Sequence, residues 1–257
     1  MKKPTSPDAV LARIPGWRGA SYSELPGGLT NRTLCVERDG RRAVLKIDPV
    51  PRRAPYNSRQ AEARIQQRAA AAGRANGVLY VEDTVLLSEW GEGEVWTAAH
   101  FDVDDNLRRV AKALRDVHAL PLTGTTFDAV AAARLYARKL GAGLSGAAER
   151  HLAAVEAAPG PMNLCCCHND LVAGNIISVP DVRFLDWEYA CDNDPLFDLA
   201  VLVAHHQLSE RQADIVLDAY FDGNGKSWRK QLGVRMRLYD ALNWLWKAAC
   251  DASAGNG

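Results

Sequence analysis

The chain has 257 residues, with 31 Lys plus Arg balanced by 31 Asp plus Glu and a formal net charge of zero. That balance argues against a surface built for nucleic acid, and no apolar run approaches the ~20 residues that cross a bilayer. The start, MKKPTSPDAVLARIPGW, lacks the apolar stretch of ~7–15 residues that marks a secretory leader. A cytoplasmic protein that meets neither nucleic acid nor membrane is therefore expected. Its length is enough for a substantial core, in one large or two small domains. The six cysteines, Cys35, Cys165, Cys166, Cys167, Cys191 and Cys250, contain no C-x-x-C spacing. Adjacent strand residues face opposite ways, so the run of three does not make a zinc knuckle by itself. Small buried hydrophobes in a reducing compartment are the expected state.

Residues 6–14 read as a short helix, capped by Ser6, with Pro7 in its first turn and Pro15-Gly16 as its stop. Gly27 and Gly28, followed by Thr30 and Asn31, form a turn whose backbone N–H groups could approach a phosphate. Residues 33–38 and 41–47 flank Asp39-Gly40, the strongest short signal for a β-hairpin. Lys46 then falls on the second strand, where a lone lysine is usually a solvated edge residue. A loop rich in proline and arginine covers 48–55. Residues 57–72 read as a helix that stops at Gly73, and Glu62 sits early in it, where a carboxylate suits the helix dipole. Residues 78–81 and 84–90 read as a second hairpin around Glu82-Asp83. Gly91 and Gly93 break the pattern, and the domain boundary is placed there, with a strand-rich part over 1–90 and a helical part over 91–257.

Residues 104–120 form an amphipathic helix with Leu107, Val110, Ala111, Leu114 and Val117 on one stripe. His118 near its end reads as structural. Ala-rich helices follow over 128–144 and 147–158. Helices are expected again over 196–208 and 209–220, the second opened by Ser209 and Gln212 in capping-box spacing. His205-His206 has no metal-ligand spacing and reads as core or surface. A last helix over 227–250 carries Trp228, Tyr239, Trp244 and Trp246, and 251–257 should fray.

The segment left over, 165–198, carries most of the chemistry. It reads C-C-C-H-N-D-L-V-A-G-N-I-I, then F-L-D-W-E-Y-A, then D-P-L-F-D-L-A. Apolar runs at 162–167 and 182–185 read as buried strands leading to Asp170 and Asp186. Asp170 and Asn175 have the D-x-x-x-x-N spacing that supplies a base and a magnesium ligand in the protein-kinase catalytic loop. Taken singly, these residues also suit a loop of caps and turns. With Lys46 and Glu62 upstream, they stand in the order that a kinase-like phosphotransferase needs.

H-N-D-L-V-A-G-N followed by L-D-W-E-Y-A resembles the choline/ethanolamine kinase branch of the aminoglycoside-phosphotransferase-like superfamily, with thiamine kinases in the same neighbourhood. The likeness extends more weakly over about 27–246, most of the chain. It implies an α+β, two-lobed, protein-kinase-like fold: a small nucleotide-binding N-lobe of antiparallel sheet plus helix, and a larger, mainly α-helical C-lobe with the catalytic loop and acceptor site. It also implies ATP as phosphate donor, Mg²⁺ as cofactor and a small-molecule alcohol as acceptor. By this resemblance Asp170 takes the acceptor proton, while Asn175 and Asp186 hold the metal. Lys46, oriented by Glu62, holds the α- and β-phosphates. Gly27, Gly28, Thr30 and Asn31 cover them, and Ser88, Glu89 and Trp90 meet the adenine. His168 and Asp198 brace the loop.

A cationic acceptor would sit among Trp187, Tyr189, Trp244 and Trp246, with Glu188 as counter-charge; cation–π attraction contributes roughly 0.5–2 kcal/mol per ring. Relatives often carry W-x-x-W in the last helix, and here Asn243 stands where the first tryptophan would be. Asn169 replaces the arginine that commonly precedes the aspartate in protein kinases, which disfavours a protein substrate. Choline or ethanolamine is expected first, thiamine second and an aminoglycoside third. A non-catalytic nucleotide-binding module is the rival of another class.

Overall fold

The computed structural model describes residues 6–26, 31–141 and 144–254. Gly27, Gly28 and Thr30 lie outside the described residues. The chain divides into two compact units: Met1–Glu94 with Ile177–Tyr189, and Val95–Ile176 with Ala190–Gly257. In chain order the first elements are α1 (Pro7–Leu11), β1 (Ser21–Glu24), β2 (Arg32–Arg38), β3 (Arg41–Ile47), α2 (Arg59–Ala71), β4 (Val78–Glu82), β5 (Val85–Glu89) and β6 (Glu94–Val95). Then come α3 (Asp104–His118), α4 (Ala129–Lys139), α5 (Gly146–Glu156), β7 (Cys165–Cys167), β8 (Ile176–Val179) and β9 (Asp181–Phe184). The last are β10 (Cys191–Asn193), α6 (Pro195–His205), α7 (Glu210–Tyr220) and α8 (Arg229–Ala254). The fold is α+β, as expected, with an antiparallel sheet and one long helix early in the chain and helices dominating later.

In the first unit, five strands form a sheet in the order β1-β2-β3-β5-β4. Asp39 (φ 50°) and Gly40 (φ 71°) both adopt left-handed backbone, which makes the tight two-residue turn that Asp-Gly announces and pairs Arg38 with Arg41. Strand alternation then sorts β3 into two faces. Ala43, Leu45 and Ile47 enter a core with Val10, Leu11, Ile14, Trp17, Leu34 and Val36. Lys46 points to the opposite face, the one that α2 covers. Ser58 caps α2 by accepting from the Ala61 N–H at 3.2 Å, so the helix starts two residues later than the composition suggests. Asn57 is held out of it because its N–H donates to the Glu188 carbonyl at 2.8 Å. The return segment is fastened to the end of α2, with the Phe184 N–H donating to the Arg74 carbonyl at 2.8 Å and Arg74 Nη1 to the Val182 carbonyl at 3.1 Å.

The second unit is built around α6, which is buried without interruption from Leu196 to Val203. A helix apolar all round belongs at a core centre. The 26-residue α8 packs on α6, α4 and α5, and α3 packs on α7 through its apolar stripe. Side chains of Asp128, Ser145, Asp194 and Ser209 cap α4, α5, α6 and α7, and Ser209 with Gln212 forms the expected capping box. The apolar run at 162–167 is strand only from Cys165 onward. The preceding residues are held from the side instead. The Asp194 carboxylate accepts from the Met162 N–H at 2.9 Å, while Arg235 donates to the Pro159 and Gly160 carbonyls at 2.5 Å each. β7 pairs antiparallel with β10, Cys167 opposite Cys191. Among the described residues no helix is long and apolar enough to cross a membrane.

Candidate active site

In the first unit, Lys46 is not a solvated edge residue. It is 7% exposed, and its Nζ lies 3.1 Å from Glu62 Oε1 and 2.7 Å from Asp186 Oδ1. Burial works against the ammonium, yet Asp186 and Glu62 outweigh it and raise the lysine pKa. Burial likewise disfavours the Asp186 carboxylate, and Lys46, followed by Arg52 and Arg59, holds its pKa below the usual value. Asp186 sits at φ 59°, a left-handed conformation that a non-glycine residue rarely adopts. Such strain persists only where the surroundings enforce it, and it concentrates at functional positions.

These groups end a longer chain of alternating charges. Glu62 Oε2 lies 2.6 Å from Arg59 Nη1, and Arg59 grips Asp48 through two nitrogens at 2.6 and 3.0 Å. Asp48 accepts from Arg52 Nε at 2.9 Å, and Arg52 Nη1 meets Glu188 Oε2 at 2.5 Å. The run Glu188–Arg52–Asp48–Arg59–Glu62–Lys46–Asp186 thus sets three cations against four carboxylates. Each neighbour offsets the desolvation of the next, which no isolated buried charge survives. The sequence reading missed Asp48, Arg52 and Arg59. The cluster of arginines beside an aspartate and prolines was its only local trace.

Glu188 is the strained end of this run. Burial, with Asp186 as a like charge nearby, lifts its carboxyl from 4.5 to about 7 in spite of Arg52. The folded state then holds this proton more tightly than the unfolded chain does. The favourable contribution is complete below about 4.5 and is lost as pH rises through about 7. Glu188→Gln removes the titration. Its melting temperature relative to wild type should therefore rise between about pH 5 and about pH 8. A difference that stays flat across that range would contradict the assignment.

The other expected residues of this unit fall as follows. Ser88 pairs with Val44 in the sheet. Glu89 is exposed, and its Oε2 accepts from the Gly77 N–H at 2.9 Å. Trp90 lies under the Arg42 guanidinium, 4.8 Å from ring centroid to carbon. The Asn31 Oδ1 accepts from the Thr33 hydroxyl at 2.7 Å. Trp187 is fully buried, its indole N–H on the Phe184 carbonyl at 3.0 Å, so its rings belong to the core rather than to an open wall. Tyr189 is half-buried against Tyr56, with ring centroids 4.6 Å apart.

In the second unit, Asp170 stands on a loop held from beneath by Asp198. The Asp198 carboxylate is fully buried in the first turn of α6 and accepts from the backbone N–H of His168 at 2.8 Å and of Asn169 at 2.7 Å. His118 Nε2 lies 3.0 Å from the same carboxylate. Asn169 adopts φ 64°, and its amide oxygen accepts from Asn193 Nδ2 at 2.8 Å. The Asp170 N–H faces His168 Nδ1 at 3.3 Å. Asn175 ends a single 3-10 turn and donates its Nδ2 hydrogens to the Asp170 carbonyl and to Asp170 Oδ2, both at 2.9 Å. Asp198→Asn keeps the shape but turns an amide N–H₂ toward groups that now need an acceptor. It should cost about 1.5–3 kcal/mol in urea unfolding, and an unchanged midpoint would contradict the bracing role.

His206 is a further fastener that spacing did not reveal. Burial pushes its pKa down to about 4, so the neutral ring donates from Nε2 to the Leu171 carbonyl at 3.1 Å, beside Asp170. Tyr239 meets His205 Nδ1 at 2.7 Å, and burial, followed by Asp170, raises its pKa. Trp244 stacks on His151 with centroids 4.6 Å apart, Trp228 stacks on Phe221 at 4.5 Å, and Trp246 is half-buried on α8.

Within the first unit, Asp186 offers a carboxylate that Lys46 keeps ionised. Within the second, Asn175 gives its N–H₂ to Asp170, which leaves its amide oxygen to offer. Oxygen donors of each kind suit a hard divalent cation rather than a soft metal.

The fold is one that phosphotransferases share. The sequence model of the phosphotransferase enzyme family matches residues 21–232, and the chain belongs to that family. It is 36% identical over 88 residues to protein LicA of Haemophilus influenzae, a match covering 31% of this chain and 33% of that protein. It is 29% identical over 194 residues to thiamine kinase of Escherichia coli, covering 72% of this chain and 66% of the relative. The chain thus aligns with about a third of the length of the LicA relative. A choline/ethanolamine kinase family protein from Mesorhizobium loti superposes with a TM-score of 0.71 at 27% identity, covering 93% of this chain and 83% of the other.

Proposed function

We propose that the chain is an ATP-dependent small-molecule kinase that phosphorylates the hydroxyl of a small cationic alcohol, with choline or ethanolamine the first candidates. The observation that carries this reading is Lys46 held by both Glu62 and Asp186, in a chain whose Asp170 and Asn175 are joined on a braced loop. Phosphoryl transfer needs positioning and charge neutralisation more than covalent help. Lys46 binds the α- and β-phosphates, and Glu62 keeps its ammonium aimed. Asn175 and Asp186 are the oxygen donors that would hold Mg²⁺, and the ion would supply neutralisation of charge on the phosphate oxygens. Asp170 orients the acceptor hydroxyl and accepts its proton. A carboxylate is basic enough, because the alcohol loses that proton late in a loose transition state. Tyr189, Trp244 and Trp246 are the aromatic candidates for contact with the acceptor cation.

The name of the Mesorhizobium loti protein supports choline and ethanolamine. A second reading, thiamine kinase, rests on the Escherichia coli relative, whose alignment covers more of this chain than the LicA alignment does. Acceptor-dependent ADP release with choline, ethanolamine, thiamine and kanamycin separates them. The highest kcat/KM is expected for choline or ethanolamine. A highest value for thiamine would move the assignment to the second reading, and release with none of them would remove both.

A further inference from the structure

Strand alternation puts Cys165 and Cys167 on the same face of β7, and their sulfurs stand 3.5 Å apart. The imidazole of His118, from α3, reaches the same place, and the three residues bring ligand atoms within 4.8 Å of one another. Cys167 is fully buried, Cys165 half-buried, and the His118 side chain 5% exposed, so the cluster is enclosed with access from the Cys165 side. Both ring nitrogens of His118 are oriented: Nε2 lies 3.0 Å from Asp198 Oδ2, and Nδ1 lies 2.7 Å from the Tyr220 hydroxyl. Metal-binding imidazoles are commonly fixed by a carboxylate on one nitrogen in this way.

We propose that His118, Cys165 and Cys167 form a site for a thiophilic divalent transition ion of the Zn²⁺ class, with the Tyr220 hydroxyl or a water as fourth ligand. One nitrogen and two sulfurs suit Zn²⁺, Co²⁺ or Cd²⁺ and do not suit Mg²⁺. This site is separate from the oxygen donors of Asn175 and Asp186 and does not depend on the proposed reaction. The site also touches the brace of the loop. His118 holds the carboxylate that accepts from the His168 and Asn169 N–H groups. Occupancy therefore bears on the position of Asp170.

The test is a Co²⁺ titration of the reduced, chelator-stripped full chain, with Cys165→Ser and Cys250→Ser alongside. Cys250 lies on α8, far along the chain from β7, and serves as the thiol control. Wild type and Cys250→Ser should show an intense thiolate-to-cobalt charge-transfer band that saturates at one equivalent and is displaced by Zn²⁺. In Cys165→Ser, which keeps a single thiolate ligand, the band should fall to about half or less. No such band in wild type, or a band of undiminished intensity in Cys165→Ser, overturns the proposal.

Discussion

Asp170→Asn should lower acceptor-dependent turnover by about 10²–10⁴-fold, while Mg-ATP still binds. At about 1.4 kcal/mol per decade, that is a loss of about 3–5.5 kcal/mol of transition-state stabilisation. The variant is informative because its geometry is preserved. An asparagine oxygen can still accept from Asn175 Nδ2, which meets Asp170 Oδ2 at 2.9 Å, and the bonds that brace the loop run through Asp198 instead. Only the basicity is removed. Stopped assays with unfolding curves alongside would separate the two effects. Full turnover in Asp170→Asn would show that proton acceptance lies elsewhere.

Lys46→Ala should fail in two ways at once. Removing the ammonium deletes the proposed phosphate contact, and loss of one preorganised donor of this kind costs about 10²–10³-fold in kcat. It also leaves Glu62, which is fully buried, and Asp186 facing each other without their shared cation. Breaking a buried pair by removing one partner costs about 3–5 kcal/mol, so the unfolding midpoint should fall with the activity. Glu62→Gln is the milder counterpart: Lys46 keeps Asp186 and Arg59 keeps Asp48, although the single amide oxygen can serve only one of the two cations that Glu62 holds. Activity should fall less than in Lys46→Ala, with the larger effect on KM for ATP. A Lys46→Ala protein as stable and as active as wild type would dissolve the triad.

Much of this arrangement could be read before any coordinates, for physical reasons that vary by residue. The Asp39-Gly40 turn and the Ser209–Gln212 box were legible because they are local backbone chemistry. Lys46 and Glu62 were legible as a pair because a strand, a loop and a helix in succession bring them to one sheet face. Lys46 reaching Asp186, 140 residues away, has no local signal, and the order of the family motif was the only pointer. Asp48 and Arg52 stayed hidden because a charged, proline-rich loop looks solvated, and Arg59 because an arginine in the first turn of a helix does too. Only the folded chain shows that their charges neutralise one another. Trp187 looked like a candidate wall because it is aromatic, yet it is fully buried, with its indole N–H satisfied by the Phe184 carbonyl, and no spacing announces either. Cys165 and Cys167 show the opposite case: the two-residue period was in the sequence, but the third partner, His118, comes from a distant helix.

Transfer of phosphate to a small cationic alcohol leaves a phosphate ester, which can be detected as such. The protein would be incubated with Mg-ATP and, separately, choline, ethanolamine, thiamine and kanamycin, and each mixture examined by mass spectrometry, with Asp170→Asn in parallel. A phosphate ester of choline or ethanolamine is expected with wild type and not with Asp170→Asn. Mg-ATP binding without a phosphate ester of any acceptor, or a product formed equally by both proteins, would contradict it.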